Sequence, residues 1–386
     1  MLWINLLHLY QPANIDRAKL LEATEKSYER ILRALEEHPN IKFTLNIAGC
    51  LLVRWDEELG RRDLITRYAR LVKRGQIELT GSAAYHALLP LVPEREARRQ
   101  IAENEKIIKK YFGANIKLKG FFLPELAYSL NVAKLIKKLG YRWLMLDEIT
   151  AGKKIETEKI YLDKNSGLNI IFRERRLSEN YVPEKISDLL SGDKIAVSTT
   201  DAELYGLRHL DQSAIFEKLL KSTKLKTETI SGYLNQQPLA GKIEPVASSW
   251  QSTKNELAHN NPFALWQNPN NKIQKNLWRL AQLAEKLYTE KIKDQNGWWA
   301  RWHLVRGLAS CTFWWASKKD FRKVFGPLAW NPDEVEKGIN EFARSIRSLE
   351  QSTDLKTKLK TEKLVAETKN LLWQTHWRQA SRTNTY

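Results

Sequence analysis

The sequence predicts an α/β fold: a seven-stranded parallel (β/α)7 barrel in residues 1–268, followed by a helical domain in residues 269–386 that packs on the barrel. Two observations predict it. Strand signals alternate with helix signals over about the first 250 residues, which implies a parallel sheet. From about residue 270 the strand signals stop, and apolar residues recur only at helical spacing.

Seven short apolar runs are predicted to be the principal strands, and the last of them is Ile243–Ala247. A β-hairpin is also predicted, with strands at Ile160–Leu162 and Asn169–Phe172 and a turn rich in polar residues between them. The principal strands end near Leu7, Asn46, Thr80, Leu123, Leu146, Thr200 and Ala247.

Amphipathic helices are predicted between these strands, beginning with one over Asp16–Glu37. In the helical part, four helices are predicted to begin near Ile273, Trp298, Asn331 and Leu355. The third of them has Pro332 in its first turn, where proline is favoured. The tryptophans between Trp298 and Trp315 are interpreted as mostly helical core, with one ring reaching a cleft.

Polar and aromatic residues follow the carboxyl ends of the predicted strands. Pro124 cannot donate to a sheet, so the strand before it stops and Glu125 stands at its end. Alone, Glu125 could stabilise a helix N-terminus, and Asp201 could be a helix N-cap. In a closed barrel, however, all these ends lie on the face that carries active sites. The residues at strand ends are His8, Tyr10, Asn46, Tyr85, His86, Glu125, Asp147, Glu148, Asp201, Glu203 and Trp250.

Two carboxylates from different strands suit glycoside chemistry. A glycosidic bond needs a proton on its leaving oxygen and a negative partner for the oxocarbenium-like centre. Glu125 and Asp201 could flank such a bond, and planar aromatic side chains could stack on sugar rings. For His8, His86 and Trp250 a purely structural role remains an alternative, and Asp147 with Glu148 could equally be a solvated loop.

Composition and charge narrow the class of protein. The 63 Lys and Arg against 45 Asp and Glu give a net charge of +18, but the excess is spread along the chain without an Arg-rich arm. A generally basic surface is therefore favoured over a nucleic-acid partner, and a non-catalytic binder of acidic polymers is the alternative. No signal peptide or membrane span is evident, so a cytoplasmic protein is expected. The sequence makes no prediction of the oligomeric state.

Metal and cofactor sites are not predicted. Cys50 and Cys311 are the only cysteines, too few for a disulfide framework or a cysteine-based zinc site. The seven histidines lack the close pair that, together with an aspartate, would hold the metal of a polysaccharide deacetylase, a less favoured alternative with a similar barrel.

Five stretches occur in a characteristic order: His8–Pro12, Gly81–Pro90, Phe121–Glu125, Asp201–Gly206 and Ser249–Trp250, with Asn255–Trp266 after the last. In this order they resemble the motifs of glycoside hydrolase family 57, a family of retaining enzymes that act mostly on α-glucans. The resemblance extends to about residue 350 and includes the Trp-rich helix. It implies a seven-stranded barrel followed by a helical domain, in agreement with the strand count.

The resemblance also implies roles for single residues. Glu125 stands at the position of the family's nucleophile and Asp201 at that of its general acid/base. Glu203 is expected to orient Asp201 or to bind a sugar hydroxyl. The other residues implied to bind substrate are His8, Tyr10, Tyr85, His86 and Trp250.

Three positions depart from the family's pattern. Tyr10 replaces a histidine, Ala87 replaces a common proline, and Ala202 replaces a common glycine. Both catalytic carboxylates are nevertheless present. The implied activity is amylase-like hydrolysis of an oligo- or polysaccharide α-glucan, with no cofactor, and 4-α-glucanotransfer at the same site is the alternative.

Overall fold

The structure is a computed structural model that describes residues 1–317 and 330–383, with side chains described up to residue 379. Contacts divide the chain into two units. The first comprises Met1–Ala84 and Leu88–Leu257, and the second comprises Tyr85–Ala87 and Ala258–Tyr386. The predicted domain boundary after residue 268 stays a prediction.

The strands of the first unit form two sheets that are almost entirely parallel. In the described residues the strands are β1 (Leu2–Leu9), β2 (Phe43–Ile47), β3 (Ile77–Leu79), β4 (Gly120–Phe121), β5 (Trp143–Asp147), β6 (Ile160–Asp163), β7 (Asn169–Arg173), β8 (Ile195–Asp201), β9 (Lys226–Glu228) and β10 (Leu239–Ile243). One sheet has the order β3-β2-β1-β8, with β9 paired to the start of β1. The other has the order β10-β6-β7-β5-β4, and only its β6–β7 pair is antiparallel. The predicted α/β class with a parallel sheet is confirmed.

Backbone hydrogen bonds also connect one sheet to the other. Beyond β3, Gly81 forms a parallel bridge to Phe121 of β4, and the amide of Phe122 donates to the Gly81 carbonyl at 2.8 Å. Beyond β7, the Glu174 amide donates to the Val197 carbonyl of β8 at 2.9 Å. Each end of the first sheet therefore has a backbone contact with the second.

Helices connect the strands of the first unit. They are α1 (Arg17–Ala23), α2 (Glu29–Glu37), α3 (Gly49–Glu57), α4 (Arg62–Lys73), α5 (Glu94–Phe112), α6 (Leu130–Lys138), α7 (Arg175–Ser178), α8 (Val182–Leu189), α9 (Ile215–Leu220), α10 (Ile230–Gln236) and α11 (Lys254–Ala258), whose last residue is assigned to the second unit. A π-helical turn, Thr24–Tyr28, interrupts the helix predicted over Asp16–Glu37.

In the described part of the second unit, the helices are α12 (Lys272–Glu290), α13 (Gly297–Gly307), α14 (Ser310–Trp314), α15 (Pro332–Arg347) and α16 (Leu355–Thr383). Within this unit α15 packs against α12, α13 and α16. Asn331 caps α15 by accepting from the Glu334 amide, and Pro332 occupies its first turn as predicted.

Strand β1 is buried on both faces, because every residue from Trp3 to Leu9 is covered. Parallel strands that carry helices on one face and a core on the other have this pattern. Ile4 and Leu6 of β1 share an apolar cluster with Phe122, Trp143 and other residues of neighbouring strands. The carboxyl ends of β1, β4 and β8 are thereby held in fixed positions.

Two features of the prediction were wrong. The last strand is Leu239–Ile243 and pairs with β6, whereas Ile243–Ala247 was predicted. Pro245 lacks the N–H that would continue the strand. The Trp-rich helix divides into α13 and α14, and Trp298 and Trp299 are 60% and 51% exposed, so they are not core residues. The predicted hairpin is confirmed as β6 and β7.

Candidate active site

His8 lies near the end of β1 and connects neighbouring strands. It pairs in register with Asn46 of β2 and with Asp201 of β8. Its Nδ1 hydrogen-bonds Asn46 Oδ1 at 2.8 Å, and its ring stacks on Phe122 with centroids 4.4 Å apart. Burial lowers the pKa of His8 to about 4, so the imidazole is neutral at pH 7. A neutral ring that bonds an amide oxygen through Nδ1–H carries its lone pair on Nε2.

Glu125 stands four residues beyond β4, which ends at Phe121, so the strand predicted to continue as far as Pro124 is shorter than expected. Its backbone is left-handed, with φ of 62°, and Leu126 follows with φ of 47°. This region is unfavourable for residues other than glycine, so the surrounding contacts must hold the turn. The Trp250 indole Nε1 donates to Glu125 Oε2 at 2.8 Å, and the Trp250 amide donates to the Glu125 carbonyl at 3.2 Å.

Two arginines in turn hold Trp250. Arg175 donates to the carbonyls of Trp250 at 2.6 Å and Ser252 at 2.9 Å. The Arg173 guanidinium lies 5.0 Å from the centroid of the Trp250 ring. Both arginines form ion pairs with Asp147, whose side chain is fully buried. Asp147 is therefore not part of a solvated loop, and the two arginines connect it to the residue that contacts Glu125.

Asp201 is the last residue of β8. Arg208 Nη1 donates to Asp201 Oδ2 at 2.9 Å, and about a quarter to a third of each of the two side chains is exposed. The turn after Asp201 is a short 3-10 helix, Ala202–Leu204, which directs Glu203 into the protein. Glu203 is only 2% exposed.

Glu203 takes part in a hydrogen-bond cluster. Gln11 Nε2 donates to Glu203 Oε1 at 2.8 Å, and the Tyr28 hydroxyl also hydrogen-bonds this oxygen. The pKa of Glu203 is raised to about 7, chiefly by burial; Arg208 opposes the rise and Asp201 contributes to it. Burial and Glu203 together raise the pKa of Tyr28 well above its ordinary value.

The π-helical turn places Tyr28 in this cluster. Ser27, in the same turn, donates to the Ala202 carbonyl at 2.5 Å. Single π-helical turns inside α-helices are frequent at functional sites. The turn thus attaches the first helical segment to the loop that carries Asp201 and Glu203.

Tyr85 and His86 belong to the second unit. His86 also has a left-handed backbone, with φ of 60°. Its Nδ1 hydrogen-bonds Ser310 Oγ at 2.8 Å, and its carbonyl accepts from the Ser310 amide at 3.0 Å. The Arg306 guanidinium lies 6.0 Å from the centroid of the Tyr85 ring.

The structure therefore connects six of the eight predicted site residues within the first unit. His8 stacks with Tyr10 at a centroid distance of 5.6 Å and meets Trp250 edge-on at 6.4 Å. Glu125 is held by Trp250, while Asp201 is the register partner of His8. Glu203 is linked to the Tyr10 segment through Tyr28, whose hydroxyl donates to the Tyr10 carbonyl.

Arg208 and Tyr28 were not singled out by the sequence. Arg208 lies seven residues beyond Asp201, past the end of the Asp201–Gly206 motif. The signal in the sequence that points to it is the short distance along the chain between this arginine and the carboxylate. Tyr28 fits the apolar face of the predicted first helix, and no signal in the sequence distinguished it from a core residue.

In residues 1–317 and 330–383, no three His, Cys, Asp or Glu side chains lie close enough together to hold a metal ion. Over the same residues, no helix combines the length and the apolar character that crossing a bilayer requires.

Comparison with known proteins gives a family match and several relatives. The family model described as "Glycosyl hydrolase family 57" matches residues 5–238, more than half of the chain. An alpha-amylase of Pyrococcus horikoshii is 30% identical over 275 residues, which cover 64% of this chain and 42% of the relative. A 4-alpha-glucanotransferase of Thermococcus litoralis is 24% identical over 277 residues, which cover 64% of this chain and 41% of the relative. The matched part thus spans less than half the length of these two relatives.

The fold of this chain resembles those of solved structures. The crystal structure of 4-alpha-glucanotransferase from Thermococcus litoralis superposes with a TM-score of 0.72 at 18% identity, covering 90% of this chain and 60% of that one. A GH57-type branching enzyme from Pyrococcus horikoshii gives a TM-score of 0.71 at 17% identity and covers 94% of both chains.

Proposed function

Because the chain belongs to glycoside hydrolase family 57, we propose that it is a retaining glycosidase that acts on α-glucans. One observation carries the proposal. Glu125 follows the carboxyl end of the parallel strand β4 by four residues and Asp201 ends the parallel strand β8, and His8 contacts both segments by stacking on Phe122 and pairing with Asp201. Carboxylates from different strands at the same end of a parallel sheet can act on opposite sides of one bond.

The proposed mechanism assigns the two carboxylates different tasks. A Glu125 oxygen attacks the anomeric carbon while the bond to the leaving oxygen breaks, and that oxygen takes the proton of Asp201. Water or a sugar hydroxyl then gives its proton to Asp201, and its oxygen displaces Glu125 from the sugar. Such double displacement needs carboxyl groups about 5–5.5 Å apart.

The partners of the two carboxylates support this division. Glu125 accepts from the neutral indole N–H of Trp250, whereas Asp201 accepts from the cationic Arg208. A fixed donor of this kind orients a carboxylate. The partly exposed Asp201–Arg208 pair can separate when a substrate oxygen takes the place of the guanidinium, and Asp201 then takes up from solvent the proton that it gives to the leaving oxygen.

We further propose that the strands close into a seven-stranded barrel. The ring would be β1, β2, β3, β4, β5, β7 and β8, supported by the Gly81–Phe121 bridge and by the Glu174–Val197 hydrogen bond. The hairpin strand β7 would then be the seventh member. Residues 1–268 would form the catalytic domain and residues 269–386 a helical domain, as the mutual packing of α12, α13, α15 and α16 supports. Within that second range, residues 318–329 and 384–386 lie outside the described part of the chain.

The remaining site residues are proposed to bind the sugar chain. The neutral imidazole of His8 can accept from a hydroxyl, and the rings of Tyr10 and Trp250 offer faces for stacking. Tyr85 and His86 are also proposed to bind the sugar chain, since their stretch resembles a family motif. Glu203 is proposed to support Asp201.

Hydrolysis is the preferred activity, and glucan transfer at the same site is the second candidate. The observation behind both is that curated relatives named alpha-amylase and 4-alpha-glucanotransferase match the same part of the chain. The choice between them depends on whether water or a second sugar reaches the glycosyl-enzyme.

A product time course with maltoheptaose tests the proposal. We expect wild-type protein to release shorter sugars, and products longer than the input would favour transfer instead. Glu125→Ala should lose activity by at least about a thousandfold, because the nucleophile is removed. The matched control is Glu244→Gln, which changes an exposed carboxylate paired with Lys164 on the surface. Equal activity of Glu125→Ala and wild type would refute the mechanism.

A further inference from the structure

The Tyr28 hydroxyl lies between two oxygen atoms. It is 2.9 Å from the Tyr10 carbonyl oxygen and also hydrogen-bonds Glu203 Oε1. Gln11 Nε2 donates to the Tyr28 hydroxyl at 3.1 Å and to Glu203 Oε1 at 2.8 Å. The side chains of Tyr28, Gln11 and Glu203 and the Tyr10 carbonyl form these hydrogen bonds in buried or partly buried positions.

The number of protons in this cluster is constrained. A carbonyl oxygen only accepts, and an ionised carboxylate also only accepts. Tyr28 has one hydroxyl proton, which cannot make a full hydrogen bond to both. If Glu203 carries a proton, it donates to Tyr28, Tyr28 donates to the Tyr10 carbonyl, and Gln11 donates to both oxygens. Every contact is then satisfied.

The charges around Glu203 favour the same arrangement. Asp201 contributes a negative charge from β8 and Arg208 a positive charge from the loop beyond it, and the two form a pair with each other. Tyr28, on the π-helical turn, is neutral and its raised pKa keeps it so, whereas His8, on β1, is neutral because its pKa is lowered. A second negative charge on the buried Glu203 would thus have to share Arg208 with Asp201.

We propose that Glu203 is protonated on the acidic side of neutral pH and acts there as a positioning residue, donating to Tyr28 and leaving Arg208 to pair with Asp201 alone. When Glu203 ionises, the donor to Tyr28 is lost and Arg208 is attracted to two carboxylates. The loop from Asp201 to Arg208 then loses its defined arrangement. The cluster would consequently inactivate the site above neutral pH, a role that rests on the proposed function of Asp201.

Carboxyl carbon NMR on protein labelled at the glutamate side chain tests the protonation directly and needs no substrate. Glu203→Gln identifies the Glu203 signal by its disappearance. We expect the wild-type signal to titrate near pH 7, in agreement with the pKa of about 7. A midpoint below about pH 5, as for an ordinary glutamate, would overturn the proposal.

The direction of proton donation can be measured with Tyr28→Phe. If Glu203 donates to Tyr28, removing the hydroxyl destabilises the protonated carboxyl and the midpoint falls. If Tyr28 donates to an ionised Glu203, the midpoint rises, which contradicts the proposal.

The coupling to Asp201 is measured in the same way. Asp201→Asn removes a negative charge and should lower the Glu203 midpoint by about one pH unit. Glu244→Gln, remote on the surface, should leave it unchanged. An unshifted midpoint in Asp201→Asn would refute the coupling between the two carboxyl groups.

The effect on activity is tested by comparing kcat at different pH values for one and the same protein. A single ionisation with a midpoint near 7 lowers kcat by about tenfold between pH 6 and pH 8, and Glu203→Gln should abolish this dependence. The same tenfold decrease in Glu203→Gln would overturn the role in pH dependence. If wild type has no glucan activity while Glu203 titrates near pH 7, the proposed function fails and the protonation of Glu203 stands.

Discussion

Glu125 has an unfavourable backbone conformation at the position where its carboxylate must be placed. A left-handed residue other than glycine costs about 1–3 kcal/mol, and here Glu125 and Leu126 are both left-handed. The hydrogen bonds from the amide and the indole of Trp250 hold this turn. Trp250 therefore positions the proposed nucleophile in addition to offering a ring face to a sugar.

Trp250→Phe separates these two roles, because it keeps an aromatic ring and removes the indole N–H. A hydrogen bond to a charged group contributes about 1.5–3 kcal/mol, so we expect kcat on maltoheptaose to fall by about tenfold or more. The control is Trp298→Phe, since the Trp298 indole is 60% exposed in the second unit. A wild-type rate for Trp250→Phe would show that the indole bond does not position Glu125.

Single residues were predictable where the chain itself marks a strand end. The polar residues at the end of β8 mark Asp201 and Glu203, whereas β4 ends at Phe121, three residues before the proline that was expected to stop it. Arg208 and Tyr28 could not be predicted in the same way, because their role depends on contacts between segments distant in sequence. The pairing of Asp147 with two arginines likewise depends on which strands become neighbours.

At the scale of elements, strand β4 is short, and it depends on a close approach between Gly120 and the Trp143 side chain. An added Cβ at Gly120 would lie 2.0 Å from Cζ2 of Trp143, on the adjacent strand β5. The glycine thus allows the indole to cover the strand that leads to Glu125.

Gly120→Ala should therefore destabilise the protein. Overpacking of a buried site costs about 1–3 kcal/mol, which would lower the urea unfolding midpoint without changing its slope. The matched control is Gly192→Ala, where the nearest atom to an added Cβ is the flexible Lys194 side chain at 3.8 Å. If both variants unfold at the same urea concentration, the close approach of Trp143 has no energetic importance.

Most elements could be predicted from apolar periodicity and from glycine and proline positions. The π-helical turn Thr24–Tyr28 could not, because its pattern of apolar residues fits a continuous helix. Strand β10 begins with exposed residues, Leu239 among them, and therefore lacks the apolar pattern of a buried strand. For this reason the strand was predicted to begin at Ile243 rather than at Leu239. The exposure of Trp298 was missed because tryptophan is usually buried.

At the scale of the whole molecule, two buried groups impose opposite pH dependences on stability. His8 has a pKa of about 4 in the folded state and 6.5 ordinarily, so the unfolded chain takes up a proton first as the pH falls. Stability then decreases between about pH 6.5 and pH 4. Glu203 has a pKa of about 7 in the folded state and 4.5 ordinarily, so the folded chain retains a proton that the unfolded chain has released. Stability then decreases as the pH rises from about 4.5 to about 7.

We expect these two slopes to oppose each other in wild type, each amounting to roughly 3 kcal/mol over its range. His8→Asn should leave a stability that decreases with rising pH, and Glu203→Gln one that decreases with falling pH. Urea unfolding at half-unit pH intervals measures both. Parallel pH curves for wild type and the two variants would contradict this assignment.

Strand β10 has a further consequence for the molecule in solution. It is the edge of its sheet, its first four residues are exposed, and Leu239 is among them. Its register with β6 shifts between Leu239 and Gly241, and such irregularity bends an edge so that a second chain cannot pair along it. Together with the repulsion expected from a net charge of +18, this irregular edge opposes β-sheet aggregation at high protein concentration.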